Sequence, residues 1–398
     1  MEGKQRVSSA SQFFLWFGAS ISLAEIMTGA LIAPLGFEEG MKAIIIGHLI
    51  GATILFLAAW MSATTRYGAL QATRISFGSV GSYGFTALNL TQLLGWGSVM
   101  IATGTTALNG ISKQLFGFDN QWAWAIGVVA ILLIWVALGL EKISKLNVVA
   151  VSLLFLFTLV LARVIFSSGA PMFNESLEPI AFSTAVELSA VMALSFLPLI
   201  GDYTSQLKNP KTGTVVSVLG YSLGSTFMYT IGLGGSLFVG SSDISAIMLA
   251  SGLGLMALVI VFFSTIITTF IDSYSSGINM QNFFPKVNAK VVSFIFTIIA
   301  LFVAMLATID AYESFLYFIG SIFSPLYGIL FAEFYVLRRR TIEGRRFVWP
   351  TMLLWIAGLV LYQLTLDMDV PLGHAIWVLI ICFIARIVME PFMRGNKK

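Results

Sequence analysis

The chain has 398 residues, of which 58% are hydrophobic and 10% charged, with a mean hydropathy of +0.91 and a formal net charge of +3. Soluble domains carry roughly 25% charged residues, so this composition marks a polytopic membrane protein rather than a soluble one. A single cysteine, Cys382, rules out an internal disulfide and a multi-cysteine metal site, and two histidines argue against a histidine-rich one.

A short polar N-terminus leads into an apolar run long enough to span, so no cleavable signal peptide is expected. Twelve apolar stretches follow in chain order, at 11–34, 40–61, 82–112, 122–140, 147–167, 182–202, 213–239, 251–277, 290–307, 313–337, 347–366 and 372–391. Each is near the roughly 20 residues that a helix needs to cross a bilayer. The third and eighth are long enough to tilt. No soluble domain or long linker interrupts them, so residues 1–398 read as one all-α membrane domain of 12 transmembrane helices. The basic residues give an orientation. One set of loops carries Arg66, Arg74, Lys142, Lys145, Lys208, Lys211, Lys286, Lys290 and the run Arg338, Arg339, Arg340, Arg345, Arg346. The termini add Lys4, Arg6, Arg386, Arg394, Lys397 and Lys398. The opposite loops hold only Lys42, Lys113 and Arg163 of the 22. The positive-inside rule puts both termini in the cytoplasm, as an even helix count requires. The cell inner membrane is the expected location.

Two stretches carry helix-unfriendly residues at membrane depth. "GASISLAEIMTGALIAPLG" holds Gly18, Gly29, Pro34 and Gly36 around two serines and Glu25. "ALSFLPLIGD" holds Ser195, Pro198, Gly201 and Asp202. Proline removes a backbone hydrogen bond and blocks another, and in lipid the freed groups must find a protein, water or ligand partner. Glycine and proline also merely kink membrane helices. Here, however, the breaks fall in the first and sixth stretches, matching places in two five-helix halves. An odd helix number inverts one half relative to the other, and paired broken helices in inverted halves point to a secondary transporter. The halves are 11–167 and 182–337, followed by two further helices over 347–391.

Ionisable residues inside spans are costly and face a cavity or a partner. Glu25 and Asp272 lie deep, and Glu187 is intermediate. Glu333 and Arg386 lie near the cytoplasmic interface, where they are expected to snorkel. Asp310 and Glu313 read as interface residues. Asp202 is expected to cap its helix or pair with Lys208. In "FFSTIITTFIDSYSSG", Thr265, Thr268 and Thr269 share one helical face. Their hydroxyls, with carbonyls freed by the first break, would make an oxygen shell for a hard cation such as Na⁺. The same hydroxyls can instead bond their own helix. In "LNLTQLLGWGSVM", Gln92 and Trp96 are four apart, and an indole beside an amide suits a flat ligand with a polar edge. "NES" at 174–176 matches a glycosylation sequon, a short pattern that also arises by chance.

The segments "TTRYGALQATRISFGSVGS", "QLLGWGSVM", "LPLIGDYTSQLKNP", "TTFIDSYSSG" and "SPLYGILFAEFYVLRRR" resemble the nucleobase–cation symporter-1 family of purine, pyrimidine and hydantoin permeases, in order and over nearly the whole chain. The resemblance implies a 5+5 inverted-repeat fold of the leucine-transporter type with two extra helices. It also implies alternating access and cotransport with Na⁺ or H⁺. Carried over by position, the Na⁺ site falls on the carbonyls of Gly18 and Ile21 and on Thr265, Thr268 and Thr269. Cytosine permeases usually have asparagine where Thr265 stands. The stacking tryptophan falls on Trp96 and the second aromatic on Phe196, although an ungapped alignment puts Met192 and Ala193 there. The helix-eight amide position falls near Phe270 to Asp272, with Asp272 favoured. Ser22 and Ser195, at the two breaks, complete the substrate set with Glu25 and Gln92. The carboxylates Glu25 and Asp272 depart from the cytosine-permease pattern. "SLAEIMTG" with "SFLPLIGDYTSQ" instead resembles the branch assigned to hydroxymethylpyrimidine, a thiamine precursor.

An aminopyrimidine presents an amine beside a ring nitrogen, and Glu25 can accept from the amine. If either partner carries a proton, a second, charge-assisted bond forms. A site built for such an edge rejects analogues that lack it. The competing role for Glu25 is a proton carrier. The expected protein is thus a monomeric Na⁺-coupled importer of an aminopyrimidine. The alternative is an H⁺-coupled permease for cytosine, purines, hydantoins or another amine. A channel or membrane enzyme is disfavoured, because no filter repeat, catalytic grouping or phosphate loop is visible. No cofactor beyond the coupling ion and no nucleic-acid partner is expected.

Overall fold

Long apolar stretches become helices here because helices satisfy their own backbone where no water can. A computed structural model describes residues 8–138, 140–167, 177–284, 286–306 and 311–395. Among them there is no strand. The helices are α1 (Ser9–Ser20), α2 (Leu23–Leu31), α3 (Gly36–Thr65), α4 (Ala69–Ala72), α5 (Arg74–Phe116), α6 (Gln121–Leu138), α7 (Leu140–Ser167), α8 (Phe182–Ser195), α9 (Leu197–Thr204), α10 (Pro210–Val239), α11 (Ile244–Ala250), α12 (Leu255–Met280), α13 (Ala289–Leu306), α14 (Ala311–Phe331), α15 (Trp349–Thr365) and α16 (His374–Gly395). Every one of the twelve apolar stretches lies on helix. Among the described residues, seven helical stretches are long and apolar enough to span by length and composition, with α2 and α3 counted together as Leu23–Thr65, and the bent pair α8–α9 makes an eighth. The sequon at 174–176, Asp310, Lys4, Arg6, Lys397 and Lys398 lie outside the described residues, as do the side chains of Lys142, Lys145 and Arg394.

Packing sorts the helices into two groups. In one, α10 lies against α1, α2 and α3, and α3 lies against α8 and α9. In the other, α5, α6, α12 and α13 pack on one another. The α14–α16 group flanks α8, and α7 touches both sides. Small residues let the first group approach at backbone distance, as membrane helices do in the absence of a hydrophobic force between them. A Cβ on Gly232 of α10 would sit 1.9 Å from the Ile26 carbonyl of α2, and one on Gly29 would sit 2.3 Å from the Tyr229 carbonyl.

Two expected surface roles are replaced by buried ones. Arg386 and Glu333 do not snorkel: both are buried, because the guanidinium bonds Glu333 at 2.6 Å and Glu390 at 2.8 Å. Arg339 joins the cluster through Glu333 and Glu390. Asp202 caps a neighbour rather than its own helix, accepting the Ala69 N–H at 3.0 Å at the start of α4. Glu187 is fully engaged. It accepts from the Tyr362 hydroxyl (2.8 Å) and from the His374 and Ala375 N–H groups (2.8 and 2.9 Å), and it pairs with the His374 ring at 2.7 Å, thereby capping α16.

Gly232→Val should force α2 away from α10 and lower stability by about 1–3 kcal/mol, read as a drop in melting temperature of the detergent-solubilised protein. Arg386→Met should cost about 3–5 kcal/mol by stranding buried carboxylates, whereas Lys42→Met, in an exposed pair, should change the melting temperature little.

Candidate functional site

The first break is built by two residues. Ile21 leaves helical geometry (φ −80°, ψ 77°) and Ser22 is extended (φ −137°, ψ 157°). The Ser22 hydroxyl then starts α2 by accepting the Glu25 N–H at 3.4 Å. The orphaned Leu23 N–H donates to Ser264 Oγ of α12 at 2.9 Å. Glu25 therefore stands in the first turn of a half-helix, where the dipole favours negative charge. The second break, at Phe196, bends α8 against α9 by 41°, with Pro198 opening the new helix. Its freed carbonyls are met by side chains: Ser195 O accepts from Gln92 Nε2 at 2.8 Å and Leu197 O from the Tyr327 hydroxyl at 2.6 Å.

Between the breaks lies a cavity of about 500 Å³, counting its open mouth. Ser22, Glu25, Gln92, Trp96, Ser195, Phe196 and Asp272 all line it, as does Thr268. Sequence reading did not single out Met100, Leu199 or Ile271, apolar lining residues that differ in no way from ordinary core positions. Met192, the ungapped alternative to Phe196, also lines the wall, whereas Ala193 packs toward Gly51 of α3.

Several of the polar groups here can accept. Gln92 gives one amide N–H to Ser195 O, and its Oε1 is buried without a partner among the described residues. The Asp272 carboxylate has no hydrogen bond among the described residues. Glu25 is buried, and its Oε2 lies 2.7 Å from Ser225 Oγ. Trp96 supplies an aromatic wall held edge-on by Phe315 (5.3 Å) and Tyr312 (6.1 Å).

The three threonines of α12 each donate to their own helix: Thr265 to Val261 O (2.8 Å), Thr268 to Ser264 O (2.8 Å) and Thr269 to Thr265 O (2.6 Å). Donation leaves their lone pairs available. Thr265 and Thr269 are buried, and Gly104 of α5 makes room for Thr265. Gly18 O accepts the Ile21 N–H at 3.3 Å. Among the described residues, no group of three or more His, Cys, Asp or Glu could hold a metal.

Named contacts border the cavity at both ends. Toward the start of α1, Trp16 sits edge-on to Phe196 (5.7 Å) and Tyr203 (5.6 Å), with a second hollow beneath it. At the other end, the Thr28 and Tyr312 hydroxyls meet at 2.7 Å, separating the cavity from a wider vestibule lined by Thr106, Asp243 and Glu313. Ser225 and His48, behind Glu25, were missed by sequence reading. A histidine in the middle of the second apolar stretch was the available signal.

A helical membrane bundle with a cavity at two broken helices is the architecture of a membrane transporter. The family described as "Permease for cytosine/purines, uracil, thiamine, allantoin" matches residues 1–368, and the chain belongs to it. It is a permease and not an enzyme. The cytosine permease of Escherichia coli is 25% identical over 333 residues, covering 82% of this chain and 78% of that one. Mhp1, a nucleobase-cation-symport-1 family transporter solved closed with bromovinylhydantoin bound, shares the fold. Its TM-score is 0.81 at 21% identity, over 98% of this chain and 94% of that one. A Na⁺-coupled sialic acid symporter in a substrate-bound outward-open state has a TM-score of 0.68 at 13% identity, covering 97% and 90%.

Trp96→Ala should weaken binding of a flat heterocycle by about 1–3 kcal/mol, roughly 5- to 150-fold, the usual loss for a base deprived of its aromatic platform. Tryptophan-independent titration calorimetry reads it.

Proposed function

We propose that this permease is a secondary active transporter that imports an aminopyrimidine, with hydroxymethylpyrimidine the first candidate, together with Na⁺ by alternating access. The observation that carries this reading is the acceptor-rich cavity. Glu25, Asp272 and the unpartnered Gln92 Oε1 require donors, and an aminopyrimidine brings amine hydrogens on a flat ring sized for Trp96 and Phe196. A ligand without those donors would leave the acceptors unpaired.

The Na⁺ reading rests on oxygen chemistry. Gly18 and Ile21 flank the break in the first span, and Thr268 and Thr269 keep lone pairs on α12, whose Ser264 meets that break at the Leu23 N–H. The bound hydantoin and the Na⁺ coupling belong to the structural neighbours named above, and they support the reading by analogy.

The 12-helix, 5+5 architecture is supported by packing. Counting α1–α2 as the first span and α8–α9 as the sixth, the first packs on the seventh (α10) and the second (α3) on the sixth. These two contacts are the same contact moved on by five. The third and fourth (α5, α6) and the eighth and ninth (α12, α13) pack likewise. On this reading 11–167 and 182–337 are the repeats, and 347–391 are two additions. Both termini lie in the cytoplasm of a cell whose inner membrane holds the protein. Two of the three basic residues on the outer side, Lys42 and Lys113, are neutralised by Glu38, Glu39 and Asp119.

Purified protein should be heated with hydroxymethylpyrimidine, cytosine, purines, hydantoins and thiamine, each with and without Na⁺. The expected result is a rise in melting temperature for hydroxymethylpyrimidine that Na⁺ enlarges, worth about 2.7 kcal/mol at a hundred times Kd. Glu25→Gln should cut that affinity roughly tenfold or more, the worth of a charge-assisted bond. A purine or hydantoin outranking every aminopyrimidine would sink the substrate assignment. A shift indifferent to Na⁺ would sink the coupling ion.

A further inference from the structure

Behind Glu25 runs an unbroken line of hydrogen bonds from the cavity to α3. Glu25 Oε2 lies 2.7 Å from Ser225 Oγ on α10, and Ser225 Oγ lies 2.8 Å from His48 Nε2. His48 Nδ1 lies 2.8 Å from Ile44 O. All three side chains are buried. A carbonyl only accepts, so Nδ1 must carry a hydrogen. Ser225 has one hydrogen to share between its two partners along the line, Glu25 and His48, with the Tyr221 hydroxyl beside it. That leaves two arrangements in which every bond is made. In one, Glu25 is protonated and donates to Ser225, which donates to a neutral His48. In the other, a doubly protonated His48 donates from Nε2 to Ser225, which donates to an anionic Glu25. They differ by two linked proton transfers: the Glu25 O–H bond breaks as a Ser225 O–H forms, and the original Ser225 hydrogen passes to Nε2, so one unit of charge moves from one end of the line to the other. The total charge is the same in both.

We propose that Glu25, Ser225 and His48 share one proton, and that His48 takes it when a donor-bearing ligand reaches Glu25. This rests on the substrate reading given above. Buried separated charges are costly, so the neutral arrangement is the resting one. A ligand N–H directed at Glu25 stabilises the anion and tips the balance. The remaining titratable groups facing Glu25 are Tyr221 and Tyr229 of α10 and Tyr312 of α14, with Asp272 across the cavity. The Tyr229 ring also stands edge-on to His48 at 4.8 Å. Tyr221 lies close to both Glu25 and Ser225, so its hydroxyl adds a donor beside the line while the Glu25–Ser225 and Ser225–His48 contacts stand. His48 is thus a positioning residue that sets the charge Glu25 presents to the ligand.

The chain has two histidines, so ¹⁵N-histidine labelling of the intact protein gives two rings, and His374→Gln assigns them. Adding hydroxymethylpyrimidine should move the His48 Nε2 resonance from its pyridine-type position to its imidazolium position. Ser225→Ala should abolish that movement, and Ser225→Thr, which keeps a hydroxyl, should restore it. A ligand that binds by calorimetry yet leaves Nε2 unmoved overturns the relay. If hydroxymethylpyrimidine does not bind, the substrate reading fails alone, and the relay is judged without ligand. The His48 pH midpoint must then differ between the wild type and Glu25→Gln, and equal midpoints overturn it.

Discussion

A membrane interior offers no water to an unpaired backbone group, and this single constraint organises the molecule. Two helices break at bilayer depth, and each break is tolerable because a neighbour supplies the missing partner. Ser264 takes the Leu23 N–H, Gln92 serves the Ser195 carbonyl, and Tyr327 serves that of Leu197. Of these repairing side chains Gln92 itself lines the cavity, and Ser264 lies on α12 one turn before the lining residue Thr268. Repair and site therefore share structure.

The repair also sets the polarity of the site. Gln92 has two amide hydrogens and one acceptor oxygen, and the broken α8 engages one of the hydrogens. Glu25 begins a half-helix whose dipole tolerates its charge, and Asp272 adds a second carboxyl group. The residues that mend the second break therefore also set part of the polarity of the cavity wall.

Much of this was legible in the sequence, and for physical reasons. Apolar runs report spans, Gly and Pro report breaks, and i, i+4 spacing placed Gln92 and Trp96 on one wall. Charge near an interface was less legible. Arg386 and Glu333 looked like snorkelling residues because the two lie 53 positions apart, as Arg339 and Glu390 lie 51 apart, and only packing brings the four together. Ser225 and His48 were hidden for a similar reason. Each is an unremarked polar residue on its own span, and their meaning comes from an approach of α10 to α2 that glycines permit.

The two packed groups of helices give the hydrogen bonds different fates. Glu25, Ser225 and His48 sit on α2, α10 and α3, all in one group. The Gln92–Ser195 and Leu23–Ser264 bonds instead join one group to the other. A displacement of one group against the other would leave the line behind Glu25 intact while straining the bonds that repair the breaks. The cavity draws on both groups, with Glu25, Ser195 and Phe196 from one and Gln92, Trp96 and Asp272 from the other. A ligand held by both sides substitutes for the bonds that a displacement loosens. An empty site has no such substitute, so movement of the empty protein must proceed with broken backbone groups unsatisfied in a dry interior or with water admitted to them. Coupling between occupancy and movement then follows from the same constraint that built the breaks.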